Sequence, residues 1–252
     1  MTKKEAAADM AGVSEKYLTF FEHLEELRVR IIRLLIILAA FSCLLFNYTG
    51  PLLEMLIRPV GRVVFSAPTE AFSVRFVLAL SLGLVAAMPF LLYEIWQFAS
   101  RALTPAEKRA TLLFVPLAFL FFICGCAFAY FVMLPMMLGF FLSFSTSYMA
   151  PMIIIGKYIS FIVTIVLSMG LMFELPLAIA FLTRIGIATP AFLRDKRRHA
   201  IVWIFIVSAV LTPSPDIVSQ VLMAGPLIVL YELSILFSHF VFRRRLEQAS
   251  FL

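Results

Sequence analysis

The sequence predicts an all-α polytopic membrane protein with six transmembrane helices, the last two of them short, and with both termini in the cytoplasm. The 252-residue chain is 63% hydrophobic and only 14% charged, which is more apolar surface than one soluble core of this size hides. The apolar residues fall into six runs, and the basic residues gather at alternate ends of those runs. Membrane spans joined by short loops explain these observations together.

Four of the runs are long enough to cross a bilayer, since a span needs about 20 apolar residues to cover roughly 30 Å of hydrocarbon. They lie at residues 34–53, 76–95, 110–134 and 158–182. Two further runs, 200–211 and 217–231, are shorter and are separated by the letters TPSPD. Ser214 is a favourable N-cap there and Pro215 suits a first helical position, so we expect a tight turn between two helices. A re-entrant hairpin is the alternative, and it also leaves both termini on one side.

Lysine and arginine set the predicted orientation. Of 21 such residues, one set of loop ends holds only Arg58, Arg62, Arg75 and Lys157. The positive-inside rule therefore places both termini in the cytoplasm. We expect one membrane domain over residues 1–252, with 1–19 and 246–252 as tails and 20–245 as the six-helix bundle. The start of the chain lacks the apolar segment of a cleavable signal peptide, so the first helix is expected to insert the protein.

The sequence contains no pattern that indicates catalysis. It has no glycine-rich phosphate loop, no His/Cys metal spacing and no Ser/His/Asp set. Its three cysteines lie inside apolar runs, where we interpret them as packing residues. The charge of +6 fits cytoplasmic loops better than nucleic-acid binding. We therefore expect a protein that is not an enzyme and that has no cofactor, no metal and no nucleic-acid partner.

The stretch FFEHLEELRVRIIR, residues 20–33, places charges directly before the first apolar run. Apolar residues at helical spacing form one face, and Glu26 and Arg30 lie on the other face. One interpretation is a solvated helix start stabilised by an i,i+4 pair between Glu26 and Arg30. The other is a functional acidic site at the cytoplasmic face. The residues alone leave both open.

Two more acids stand out. In LTPAEKRA, Thr104 and Glu107 form a capping box, which explains Glu107 structurally, although it also places this acid on the same side as Glu26. Glu174, in MGLMFELPLAIAF, lies about 12 Å inside its helix, where a carboxylate is costly unless it is protonated, paired or facing a wet cavity. Pro176 is expected to kink that helix. Glu94 is interpreted as a charge at the water boundary.

Four linked motifs carry a family resemblance. They are HLEELRVRIIR, YEIWQFASRALTPAEKR, FELP and LTPSPDIVSQVLMAGPLIVLYELSI, and their order and spacing extend over about residues 17–245. In these motifs the chain resembles TatC, the polytopic subunit of the twin-arginine protein translocase. The resemblance implies a concave six-helix protein in a bacterial cytoplasmic (inner) membrane. Its implied function is that of signal-peptide receptor and scaffold, driven by the proton-motive force, for the export of folded proteins.

The resemblance also assigns roles to positions. It implies signal-peptide binding by Glu26, Arg28, Phe98 and Glu107, an intramembrane polar site at Glu174, and partner docking or structural roles for Pro59, Thr212, Asp216 and Gln220. The implied partners are twin-arginine signal peptides, single-span TatA-like and/or TatB-like proteins, membrane lipid and further copies of this chain. Two features depart from the family pattern: Arg101 replaces a proline, and the TPSPD turn is one residue longer. The alternative function is a proton-coupled secondary transporter that uses Glu174.

Overall fold

The computed structural model describes residues 25–99, 114–146, 148–212 and 216–249, with backbone alone at 98–99 and 243–249. Helices make up nearly all of these ranges, and two isolated β-bridges, Val64 with Ile154 and Thr146 with Met149, tie loops together. In chain order the helices are α1 (25–45), α2 (Thr49–Ile57), α3 (Pro68–Ala99), α4 (Phe114–Phe128), α5 (Leu134–Leu142), α6 (Ile155–Met172), α7 (Leu175–Arg184), α8 (Pro190–Asp195), α9 (Arg197–Leu211) and α10 (Ile217–Ala249).

Several of these helices join into longer spans. A 3₁₀ turn at Phe46–Tyr48 links α1 to α2, and a π-helical turn at Ala129–Met133 links α4 to α5. Pro135 follows the π-helical turn, and since proline has no N–H it cannot continue the regular hydrogen-bond ladder. The resulting apolar spans in the described part are Glu25–Ile57, Pro68–Gln97, Phe114–Leu142, Ile155–Arg184 and Ile217–Phe242.

The fifth of the six predicted helices is α9, which at 15 residues covers only about 22 Å and is short, as predicted. The prediction that the last helix is also short is wrong, because α10 has 33 residues. Glu232 interrupts the apolar run without ending the helix, because glutamate is a good helix former, and its carboxylate pairs with Arg197 of α9 at 2.6 Å. The charged residue in this apolar run therefore does not mark the end of the helix.

Helix α6 lies at the centre of the packing. Its first half joins Leu56, Val74 and Leu78 in one buried cluster. Its second half joins residues of α9, α10 and the π-helical turn in another cluster. Helices α4 and α6 approach closely at Gly125, where an added Cβ would lie 2.6 Å from the Met169 carbonyl oxygen. Small residues at such crossings are typical of membrane bundles.

The break between α6 and α7 confirms the predicted effect of Pro176. Helix α6 ends at Met172 and α7 begins at Leu175, so that Pro176 occupies the first turn of the new helix. Proline is tolerated in that turn because the N–H it lacks has no partner within the helix there. The break leaves Glu174 at the junction of the two helices.

Glu70, in the first turn of α3, joins the start of that helix to the start of α6. Its Oε2 accepts hydrogen bonds from the backbone N–H (2.6 Å) and hydroxyl (2.9 Å) of Ser66, before α3. Its Oε1 accepts from the Gly156 N–H at 2.8 Å, in the first turn of α6. One carboxylate therefore satisfies donors at two helix starts, where negative charge is favoured. Its contact with Gly156 joins residues 86 positions apart, so the local sequence does not reveal this role.

Candidate functional site

Arg30 of α1 organises the charges at the first described turn of that helix. Its Nε and Nη2 donate to Glu26 Oε1 at 3.0 and 2.6 Å, which confirms the predicted i,i+4 pair. Its Nη1 donates to the Glu94 carboxylate, and also to the Glu94 carbonyl oxygen (3.2 Å) and Gln97 Oε1 (3.0 Å). One guanidinium therefore bridges α1 and α3.

Glu94 of α3 is buried, with 6% of its surface exposed, so the prediction of a charge at the water boundary is wrong. The carboxylate is tolerated there because two guanidinium groups face it: Arg30, and Arg33 at 2.7 Å. We call Glu26, Arg30, Arg33 and Glu94 the α1–α3 ion cluster. Its two positive and two negative formal charges cancel. The acidic charge of Glu26 is thus compensated within the protein.

Close backbone packing supports this arrangement further along the same helix pair. An added Cβ at Gly83 of α3 would lie 2.1 Å from Ser42 Oγ and 2.8 Å from the Ser42 nitrogen on α1. Helix α1 therefore lies directly on α3, and the ion cluster closes one end of this contact. Arg28 lies on the exposed side of α1.

The other two proposed signal-binding residues are at the end of α3 and beyond. Phe98 lies in the last turn of α3, but its side chain is outside the described part of the structure, and Glu107 lies wholly outside the described residues. The described end of α3 is Ala99, about 7.5 Å along the axis from Glu94. The described end of α3 therefore lies close to the ion cluster. Arg101 and the capping box at Thr104 and Glu107 are likewise outside the described residues.

Glu174 lies in an apolar groove between α3, α4 and the α6–α7 break. The groove has a volume of about 370 Å³, and it is lined on the α3 side by Met88, Leu91, Leu92, Ile95 and Trp96. Glu174 Oε1 and Trp96 Nε1 are both buried without a hydrogen-bond partner in the described structure. An acceptor and a donor that are buried without partners are costly, so the groove favours a ligand that brings complementary polar atoms.

The residues around the α9–α10 turn make structural contacts. Asp216 Oδ1 accepts the Ser219 N–H at 2.7 Å, so Asp216 caps α10. The predicted cap at Ser214 and the predicted first helical position at Pro215 lie outside the described residues, and α10 is described from Ile217. Gln220 Nε2 donates to the Phe205 carbonyl at 3.0 Å, which ties α10 to α9. Thr212 is buried at the end of α9.

Pro59 is exposed in the turn after α2, where it borders a second apolar groove of about 380 Å³ with Tyr130 and Phe131. Cys43, Cys124 and Cys126 are free thiols. Among the residues that the structure describes, no group of three or more His, Cys, Asp or Glu side chains is placed to hold a metal ion.

These features define a multi-pass helical membrane protein: apolar spans, an ion cluster at the end of one helix pair, and a carboxylate in an apolar groove within a span. The family model described as Sec-independent protein translocase protein (TatC) matches residues 22–226. The chain belongs to the TatC family. It is therefore a component of the twin-arginine translocase, a non-enzymatic protein-transport system.

Relatives of known name cover nearly the whole chain. The chain is 40% identical over 233 residues to the Sec-independent protein translocase protein TatC of Carboxydothermus hydrogenoformans. The match covers 91% of this chain and 96% of the relative. It is 35% identical to TatCd of Bacillus subtilis, covering 90% and 93%. A crystal structure of "Twin Arginine Translocase Receptor- TatC" superposes with a TM-score of 0.79 and 34% identity, covering 87% of this chain and 99% of that one.

Proposed function

We propose that this chain is the twin-arginine signal-peptide receptor and the core scaffold of a translocase that exports folded proteins using the proton-motive force. The observation that carries the proposal is the contact between Glu26 and Arg30, in which one carboxylate oxygen accepts two N–H donors of a guanidinium. Guanidinium prefers carboxylate in such a fork. A signal peptide with two arginines presents the same group.

The proposed orientation places this contact at the cytoplasmic face. Arg28, Arg30 and Arg33 lie at the start of α1, and three arginines, residues 243–245, lie near the end of α10. The positive-inside rule favours the cytoplasm for both ends. The protein then forms a single membrane domain in a bacterial cytoplasmic membrane, with both termini inside.

The arginine pair needs more negative charge than Glu26 supplies, because Arg30 already compensates that carboxylate. We propose that Glu107 supplies it from the loop that follows α3. Phe98 and Arg28 are proposed to bind the signal peptide together with these acids. The proximity of Ala99 to the ion cluster supports this joint site.

The apolar part of the signal is proposed to lie in the Glu174 groove. The ion cluster and the groove both lie near the described end of α3, but Glu94 and Trp96 are two positions apart and therefore face different sides of that helix, so the signal is proposed to pass around this end of α3. Glu174 Oε1 and Trp96 Nε1 then find polar partners in the bound segment. Membership of a protein translocase family gives no support to the alternative of a proton-coupled solute transporter.

The partner surfaces are proposed to lie elsewhere on the bundle. Thr212, Asp216 and Gln220 fix the α9–α10 turn, against which a single-span TatA-like or TatB-like helix docks. Pro59 borders an apolar groove at the end of the helices opposite the ion cluster, and further copies of the chain are proposed to assemble there in the complex.

Peptide binding to the purified protein in lipid nanodiscs tests the proposal. We expect a fluorescent twin-arginine signal peptide to bind more tightly than its twin-lysine analogue, and Glu26→Gln or Glu107→Gln to abolish the difference. Glu54→Gln is the matched control, because Glu54 is exposed at the far end of the Glu25–Ile57 span and its contact with Arg58 is long, at 3.8 Å. Equal binding of the two peptides to the parent protein contradicts the proposed function.

A further inference from the structure

We propose that Arg30 sets the affinity of the signal site by acting as an internal guanidinium. It occupies Glu26 in the empty protein, and it withdraws onto Glu94 and Gln97 when an arginine of the signal binds Glu26. Glu94 is the positioning residue that receives it. The inference rests on the proposed function and adds to it a competitor within the same helix.

The contacts of Arg30 divide between two edges of its guanidinium. Nε and Nη2 face Glu26, whereas Nη1 faces Glu94 and Gln97. The side chain can therefore lose the first set while it keeps the second. Its Nη1 contacts include a buried carboxylate, a carbonyl oxygen and an amide oxygen, which hold the group near α3 during the exchange.

The exposure of the two acids decides which of them exchanges Arg30 for an arginine of the signal. The Glu26 side chain is 18% exposed and the Glu94 side chain 7%. An incoming guanidinium therefore meets Glu26 first, and Glu94 stays closed beneath Arg30 and Arg33. The more exposed acid is the one that accepts a ligand, and the more buried acid is the one that retains the internal arginine.

Charge sets the cost of the exchange. The α1–α3 ion cluster is formally neutral, and a signal arginine brings it to one excess positive charge, with Glu94 alone facing Arg30 and Arg33. Like charges at close range in a partly buried site are unfavourable. This excess positive charge limits the affinity of the site for the arginine pair. A second carboxylate next to the bound signal would compensate the charge and so favour the exchange.

Two single variants with opposite expected effects test this inference. Arg30→Gln removes the competitor, so the twin-arginine peptide should bind about three- to tenfold more tightly, the range expected for releasing one charge-assisted hydrogen-bond pair. Glu94→Gln removes the acceptor that receives Arg30, which then stays on Glu26, so the peptide should bind more weakly by a similar factor. Arg58→Gln controls for the loss of one positive charge, since Arg58 is exposed at the far end of the span.

A merely structural ion pair gives a different pattern, because either variant breaks the same helix contact and both should then weaken binding. If Arg30→Gln binds the peptide no more tightly than the parent protein, the inference is overturned. If that variant is not recovered folded, the double variant Arg30→Gln/Glu94→Gln, which keeps two hydrogen-bonding side chains without charge, decides in its place and should also bind more tightly. A parent protein that does not distinguish arginine from lysine peptides overturns the proposed function itself.

Discussion

Arg30 of α1 and Glu94 of α3 are 64 positions apart in the chain and form a buried ion pair that fixes one helix on the other. Both side chains are at most one-tenth exposed, and each makes further charged contacts, Arg30 with Glu26 and Glu94 with Arg33. Removing one member of a buried pair leaves the other charge uncompensated. The pair therefore serves both the packing of α1 and the geometry around Glu26.

Glu94→Ala should destabilise the protein by about 3–5 kcal/mol, because two guanidinium groups lose a buried counter-ion. Thermal unfolding of the detergent-solubilised protein measures this loss. Glu232→Ala is the control, since its pair with Arg197 is about half exposed on both sides, and it should change stability by no more than about 1 kcal/mol. Equal midpoints for the two variants would show that the Glu94 pair contributes no more than a surface contact.

Gly125→Ala should lower stability by about 1–3 kcal/mol, because the new methyl group meets the backbone of α6 and not a movable side chain. Gly139→Ala on α5 is the matched control, since an added Cβ there has no neighbour within 4 Å. The same thermal assay compares them. A neutral Gly125→Ala would mean that α4 and α6 separate without cost.

Glu70→Ala should lower the stability of the protein, because donors at the starts of α3 and α6 lose their acceptor. Glu70→Gln should recover only part of this loss, since an amide retains one acceptor oxygen without the charge. Limited proteolysis of the loops that precede α3 and α6 reports the loosening directly. Unchanged cleavage in Glu70→Ala would contradict the proposed fastening of the two helices.

Glu174→Leu separates stability from function. Replacing a half-buried acid whose Oε1 is buried without a hydrogen-bond partner with an apolar side chain of similar size should leave the protein equally stable or stabilise it by about 1–2 kcal/mol. Export of a folded twin-arginine reporter should nevertheless fall sharply, because the bound segment loses its polar partner in the groove. If export remained at the parental level, Glu174 would have no role in the transport step.

Much of the architecture was predictable because lipid imposes simple constraints on sequence. The runs at 34–53 and 76–95 lie within the observed spans Glu25–Ile57 and Pro68–Gln97, and the observed spans extend into the polar flanks. Hydropathy therefore locates a membrane helix but underestimates its length. The same effect, at Glu232, made α10 look short.

The site was predictable only where its contacts are local in sequence. The Glu26–Arg30 pair follows from helical spacing, since residues four apart share a face. The role of Glu94 depends on α1 packing against α3, and its partners are 61 and 64 positions away. Nothing in the neighbourhood of Glu94 distinguishes a buried counter-ion from a surface charge. Its spacing from Gln97, three residues on, is the one local sign of a shared polar face.

Site-specific photo-cross-linking to a twin-arginine signal peptide tests the central claim that Glu26 receives the signal's guanidinium. A photoreactive residue at Leu27, beside Glu26, is compared in membrane vesicles with one at Leu44, which is exposed at the other end of α1. We predict a cross-link at position 27 that unlabelled twin-arginine peptide removes and twin-lysine peptide does not. A cross-link of equal yield at position 44, or equal competition by the two peptides, would contradict the account.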